Sequence, residues 1–164
     1  MKKAVFPGSF DPITLGHCEI IEKACEIFDE VIVSVGNNSD KNYRFSIDQR
    51  LKFISDEFIN NSKVYVEKYQ GLTVDFCKNK NIKHIVRGLR NPADFEFEKK
   101  IALFNNSLEN VETIFFLTSP KNAFISSSMV REIMDNGGNF KKFVPNSVLV
   151  LSLIHISEPT RPLG

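Results

Sequence analysis

The stretch "PGSFDPITLGH", Pro7–His17, decides how the chain is organised. A short apolar run, Ala4-Val5-Phe6, precedes it. Ile20, Ile21, Ala24, Cys25 and Phe28 follow it at helical spacing. The stretch is therefore a strand-to-helix turn. It holds two glycines, two prolines, an aspartate, two hydroxyls and a histidine, a polar set that a mere connection does not need.

Outward from this turn, short apolar runs alternate with helical patterns. Strands are expected at Ala4–Phe6, Val31–Val35, Val64–Val66, His84–Val86 and Thr113–Leu117. Helices are expected at Gly16–Phe28, Ser46–Phe58, Gly71–Lys80, Pro92–Leu108 and from about Ser127. Ser46 followed by Gln49 reads as a capping box. Asn91 before Pro92 reads as a helix start, with Phe97, Ile101, Phe104 and Leu108 as the apolar face. Such alternation predicts an α/β fold with a parallel five-stranded sheet and helices on both faces. Right-handed crossovers give a Rossmann-like strand order, 3-2-1-4-5.

The chain has 164 residues, 42% hydrophobic and 25% charged, enough for one domain with a core. A net charge of +1 argues against nucleic acid as a partner. No apolar run approaches the roughly 20 residues of a membrane span, and the run behind Lys2-Lys3 is too short for a signal peptide. Cys18, Cys25 and Cys77 lack metal or redox spacing and read as reduced thiols of a cytoplasmic protein. The expected domain is residues 1–151. The segment 152–164, "SLIHISEPTRPLG", reads as non-native sequence from cloning DNA.

In open α/β sheets, ligands bind beyond the carboxyl ends of strands where strand order reverses, here between strands 1 and 4. Strand 1 ends in "GSFDPITLGH", strand 4 in "RGLR" (Arg87–Arg90), and strand 5 leads to "ISSSMVRE" (Ile125–Glu132). Each suits phosphate. Gly8, Ser9 and the helix opening near Thr14–His17 offer N–H groups and a positive helix end. Gly16 permits close approach and His17 supplies a donor. Arg87 and Arg90 present two guanidinium forks. Ser126, Ser127 and Ser128 open another helix as a second anion cradle. Lys41, in "NNSDKNYRF", reaches over the site. Taken singly, the serines could be caps and the cations solvated charges; their joint placement after strands 1, 2, 4 and 5 favours a site. His84 is given no role. Walker A, G-x-G-x-x-G, G-x-S-x-G and H-E-x-x-H patterns are absent.

Thr14-Leu15-Gly16-His17 resembles the (T/H)xGH signature of the nucleotidylyltransferase superfamily. With "RGLR" and "ISSSMVRE", the chain resembles the bacterial phosphopantetheine adenylyltransferase family over roughly residues 1–148. That resemblance implies adenylyl transfer from ATP to 4′-phosphopantetheine, giving dephospho-coenzyme A and pyrophosphate, with Mg²⁺, in the cytoplasm, by a homohexamer of two trimers. It implies that Ser9 and Phe10 touch ATP, and that His17 binds ATP and stabilises the transition state. It assigns Gly88, Leu89, Arg90, Glu98 and the loop Asn122, Ala123, Phe124, Ile125, Ser126, Ser127 and Ser128 to ATP. Ser9, Lys41, Thr73 and Arg87 fall to phosphopantetheine. No protein metal ligand is assigned. The chain departs from the family at Phe97, where Tyr is frequent, and in "SPKNAFISSS", which is one residue short and lacks an aromatic. The family's C-terminal helix is replaced or truncated near Leu151.

An amide-bearing acceptor arm needs an apolar groove with an amide partner. Asn105 and Ala102 on the helix from Pro92, facing Leu72, Thr73 and Val74, are expected to supply it. Rival readings are a nicotinamide mononucleotide adenylyltransferase, a cytidylyltransferase, a class I aminoacyl-tRNA synthetase, and a non-catalytic nucleotide or coenzyme A sensor.

Overall fold

The computed structural model describes residues 1–150. The expectation of a foreign segment at 152–164 concerns residues outside that range. Five strands, β1 (Lys3–Gly8), β2 (Glu30–Gly36), β3 (Val64–Tyr69), β4 (His84–Leu89) and β5 (Glu112–Leu117), form one sheet in the order β3-β2-β1-β4-β5. Every pairing is parallel. Between them run α1 (Leu15–Ile27), α2 (Ile47–Glu57), α3 (Thr73–Lys80), α4 (Pro92–Glu109) and α5 (Ser127–Asp135), with a 3-10 turn at Lys141–Phe143. The predicted class and strand order are those observed.

Local chemistry explains the boundaries. Thr14, Ser46, Asn91 and Ser126 each cap a helix through the side chain, and Ser46 and Gln49 complete the expected capping box. Pro92 occupies the first turn of α4. Asn81 and Asn110 end α3 and α4 at φ of 56° and 54°, the left-handed geometry that asparagine tolerates.

One core lies on the face covered by α1, α2 and α5, with Ile21, Val33, Phe53, Ile54 and Val130 buried in it. A smaller core joins Val5, Ile32 and Ile85 to Val74 and Cys77 of α3. The face expected of α4 is not buried in the chain. Phe97, Ile101, Phe104 and Leu108 are 66%, 40%, 58% and 45% exposed. The helix instead turns a polar line inward, on which Glu98 is buried and Asp94, Ala102 and Asn105 are half-buried. Those positions border two cavities described below.

One feature of the sheet opens the site. β1 pairs with β2 along six positions but with β4 at one, Val5 opposite Ile85. Beyond that pair the two strands part, and the crevice forms at their carboxyl ends, where strand order reverses.

Candidate active site

Two cavities, each of about 360 Å³, occupy this crevice, and Arg87 and Glu98 line both. Arg87 Nη1 donates to the carbonyl of Pro7 at 2.6 Å, taking up a β1 group where the ladder to β4 has ended. Its Nε donates to Oε1 of the buried Glu98 in a short ion pair.

The first cavity is lined by Gly16 and His17 of α1, Arg87 and Gly88 of β4, Arg90, Asp94, Phe97 and Glu98, and Ile125–Ser128 at the start of α5. His17 is fixed by its own helix. Its Nδ1 accepts the N–H of Thr14 at 3.0 Å, while its N–H donates to Thr14 Oγ1 at 3.4 Å. This is a capping box with histidine in the place of glutamate. Since Nδ1 accepts, the neutral ring carries its proton on Nε2. Burial, with Arg87 and Arg90 adding like charge, pushes the pKa of His17 down to about 3. The imidazole is therefore a neutral Nε2–H donor at physiological pH. Phe10 stands edge-on to it at 4.9 Å and to Phe6 at 5.2 Å, with φ of 48°.

The serine cluster lines this cavity as expected, and its hydroxyls also make bonds within the protein. Ser126 Oγ accepts from Met129 N as the cap of α5, Ser127 Oγ donates to the Pro12 carbonyl at 2.7 Å, and Ser128 Oγ accepts from Arg131. The hydroxyls thus take part in the protein's own bonds, and the first-turn N–H groups of Ser127 and Ser128 are what the start of α5 adds for an anion. Arg90 is held by Asp94 and by the Ile125 carbonyl at 3.2 Å. Gly88 is required by packing: a Cβ there would lie 2.8 Å from Ile20 Cγ1. Gly16 is not, since a Cβ would meet protein atoms at 3.5 Å or more.

Of the other residues expected at the nucleotide, Ser9, Phe10, Leu89, Asn122, Ala123 and Phe124 are not among those lining this cavity. Asn122 is buried and donates to Glu19 at 2.8 Å. Phe124 is exposed and packs edge-on to Phe143 at 5.8 Å.

The second cavity brings together Lys41, Thr73, Arg87 and Asn105, with Gly8, Tyr69, Ile101 and Ala102 as further walls. Thr73 shares a hydrogen bond with the Tyr69 hydroxyl at 3.0 Å. Leu72 is exposed and Val74 belongs to the smaller core, so of the three residues expected at the start of α3 only Thr73 lines this cavity. His84, left without a role, packs against Phe28 at 5.7 Å.

Sequence reasoning missed three supports. Glu19 accepts from Ser119 N, Ser119 Oγ, Asn122 Nδ2 and Lys23, which ties the 118–126 loop to α1. Burial raises its pKa, yet the bonds from Lys23, Ser119 and Asn122 outweigh that and hold it at about 2. Asp94 pairs with Arg90. Arg50 is buried beneath the β1–α1 turn. Of these three only Asp94 carried a local signal, as an acidic residue in a helix first turn.

The cytidylyltransferase-like family model matches residues 5–133. A phosphopantetheine adenylyltransferase of Christiangramia forsetii is 53% identical over 148 residues, 90% of this chain and 98% of that one. One of Flavobacterium psychrophilum is 51% identical over 150 residues, 92% and 99% of the two chains. In three dimensions the chain is similar to a bifunctional NMN adenylyltransferase/ADP ribose pyrophosphatase of Francisella tularensis, crystallised with AMP and a manganese ion. The TM-score is 0.70 at 16% identity, over 94% of this chain and 49% of that one. That likeness bears on the fold alone. The relatives match nearly end to end, over the elements that build both cavities, and the chain belongs to the phosphopantetheine adenylyltransferase family.

Proposed function

We propose that the chain transfers the adenylyl group of ATP to 4′-phosphopantetheine, releasing pyrophosphate and dephospho-coenzyme A. The observation that carries this is the pair of cavities meeting at Arg87 and Glu98. One has a helix N-terminus, two arginines and a neutral imidazole donor, which suit a nucleotide triphosphate. The other has a lysine near β1 and an asparagine on α4, which suit a phosphate with an amide-bearing arm.

The acceptor phosphate has a second pKa of about 6 and is largely dianionic at neutral pH, so no protein base is needed. An oxygen of this phosphate forms a bond to the α-phosphorus of ATP. The bond from that phosphorus to the bridging oxygen of the β-phosphate breaks, and pyrophosphate leaves with the electron pair. Lys41 and Arg87 offset repulsion between the anions, and His17 Nε2–H meets charge growing on the α-phosphate. Arg90 and the start of α5 hold the leaving group.

Among the described residues no cluster of three or more His, Cys, Asp or Glu could hold a metal, and both carboxylates of the nucleotide cavity, Asp94 and Glu98, are paired with arginines. This donor set fits Mg²⁺ arriving on the phosphates rather than in a protein cage. The ion would supply charge neutralisation there. We further propose a homohexamer, since the exposed apolar face of α4 suits burial against copies of the chain. Three free, buried cysteines fit the reducing cytoplasm.

The test is turnover with ATP, Mg²⁺ and phosphopantetheine, reading dephospho-coenzyme A and pyrophosphate by mass spectrometry. Product with nicotinamide mononucleotide but not phosphopantetheine, or with CTP but not ATP, would overturn the reading.

A further inference from the structure

Arg50 of α2 is 1% exposed, and it lines neither cavity. Its Nη1 donates to the carbonyls of Ser9 at 2.9 Å and Gly36 at 2.8 Å, and its Nε to that of Phe45 at 3.1 Å. The guanidinium carbon lies 3.8 Å from the centre of the Tyr43 ring. The Tyr43 hydroxyl accepts the N–H of Asn38 at 2.9 Å, and the Asn38 carbonyl accepts the N–H of Lys41 at 3.1 Å. From the other side, the Asp11 carboxylate accepts the N–H groups of Arg44 and Phe45 at 2.8 and 2.9 Å. One buried cation thus joins the β1–α1 turn, the end of β2 and the loop that carries Lys41.

Packing alone does not call for arginine here. A buried cation is costly, and an apolar side chain of similar volume is often as stabilising or more so. Nη2 of Arg50 has no hydrogen-bond partner among the described residues, which adds to that cost. What only a guanidinium provides is a rigid fork with donors aimed at carbonyls in different segments.

We propose that Arg50 is a positioning residue for the acceptor phosphate: it fixes Lys41 relative to the β1–α1 turn, across the mouth of the second cavity. The inference rests on the reading of that cavity as the site of a phosphate-bearing acceptor. Arg50→Lys keeps the charge and loses the fork. Steady-state kinetics of the full chain, with each substrate varied in turn, should show KM for phosphopantetheine raised roughly 10–100-fold, the worth of one charged hydrogen bond. KM for ATP should stay within about 2-fold, because the residues that Arg50 bonds or stacks on, Ser9, Gly36, Phe45 and Tyr43, are not among those lining the nucleotide cavity. In a Lys41→Ala background most of the acceptor effect should vanish, since residues acting through one another are non-additive. Equal losses for both substrates, or full additivity with Lys41→Ala, would reduce Arg50 to holding the fold and overturn the proposal. Should Arg50→Lys not fold, Tyr43→Phe leaves the ring on the guanidinium and removes only the acceptor for Asn38. It should raise the acceptor KM several-fold, and an unchanged value there would equally overturn the proposal. If the wild type uses phosphate-free pantetheine as well as the phosphorylated acceptor, the reading of the cavity itself fails, and that is visible before any variant is made.

Discussion

Arg87 and Glu98 form a short ion pair on the boundary between two cavities, one arm of the arginine on the β1 carbonyl of Pro7 and the other on α4. Removing the carboxylate by Glu98→Ala therefore loosens a wall shared by both substrates. KM for ATP and for phosphopantetheine should rise together, whereas Lys41→Ala should affect the acceptor alone. Chemical denaturation should show a loss on the order of 1–3 kcal/mol, below the roughly 3–5 of a fully buried pair. The reason is that the Arg87 side chain is 35% exposed and partly screened. An effect confined to one substrate would contradict a shared wall.

His17→Ala should lower kcat by about 10²–10³, the usual cost of losing one preorganised donor, with a smaller change in ATP affinity. His17→Gln, whose amide nitrogen can stand near Nε2, should retain more activity than alanine. Because the His17 pKa lies at about 3, activity should show no limb near 6.5 from this residue. The acid limb should follow the acceptor phosphate, near pH 6, in wild type and His17→Gln alike. For stability the sign is that of a group kept neutral by folding. The contribution of His17 is full above 6.5 and is lost as pH falls toward about 3. A kcat limb that moves with substitution of His17 would refute a neutral donor.

Glu19 gives a separate acid signature. Its folded pKa of about 2 lies below the ordinary 4.5, so its bonds stabilise the fold fully above 4.5 and progressively less as pH falls toward 2. Glu19→Gln should lower Tm at pH 7, and the gap to wild type should shrink between pH 4.5 and 2.5. Since the carboxylate holds Ser119 and Asn122, the variant should also weaken ATP binding before it weakens phosphopantetheine binding. A Tm gap independent of pH would mean the carboxylate charge is not what ties the loop.

Asn105 lines the second cavity beside Ala102 and opposite Thr73. Asn105→Leu should weaken phosphopantetheine by roughly 1–3 kcal/mol, the cost of an unpaired buried amide, and spare ATP. Calorimetric titration with each ligand decides it. Equal weakening of both, or of neither, removes Asn105 from acceptor recognition.

The strand order and the place of the crevice were legible because apolar strands alternate with amphipathic segments, and because polar clusters after strands 1, 2, 4 and 5 must meet where order reverses. Lys41 and Arg87 were legible in the same way, Thr73 only through the family resemblance and Asn105 only through what an amide-bearing arm requires; the structure brings all four to one cavity. The face of α4 was misread because periodicity reports where apolar residues recur, not which side meets the sheet. There the inward line is Asp94, Glu98, Ala102 and Asn105, three of them polar, and it borders the two cavities rather than packed core. Arg50 was invisible for another reason. Its partners, Ser9, Gly36 and Phe45, come together only through the crossovers, and no local pattern marks an arginine that will be buried. The serines illustrate a limit of sequence reading, since a cap and an anion cradle use the same residues at the same place on a helix: Ser126 caps α5, and all three serines line the first cavity.

The bond between Thr14 N–H and His17 Nδ1 makes helix initiation and tautomer choice one event. An engineer seeking thermostability would replace His17 with glutamate, since Thr-x-x-Glu is the ordinary capping box and an acidic first turn favours the helix dipole. That change would strengthen the start of α1 while placing a negative charge in the cavity proposed for the nucleotide. With the role proposed for His17, robustness and turnover are traded against each other within a single side chain, so stabilised variants should be sought at exposed positions of α2 and α3, away from Arg50 and Thr73.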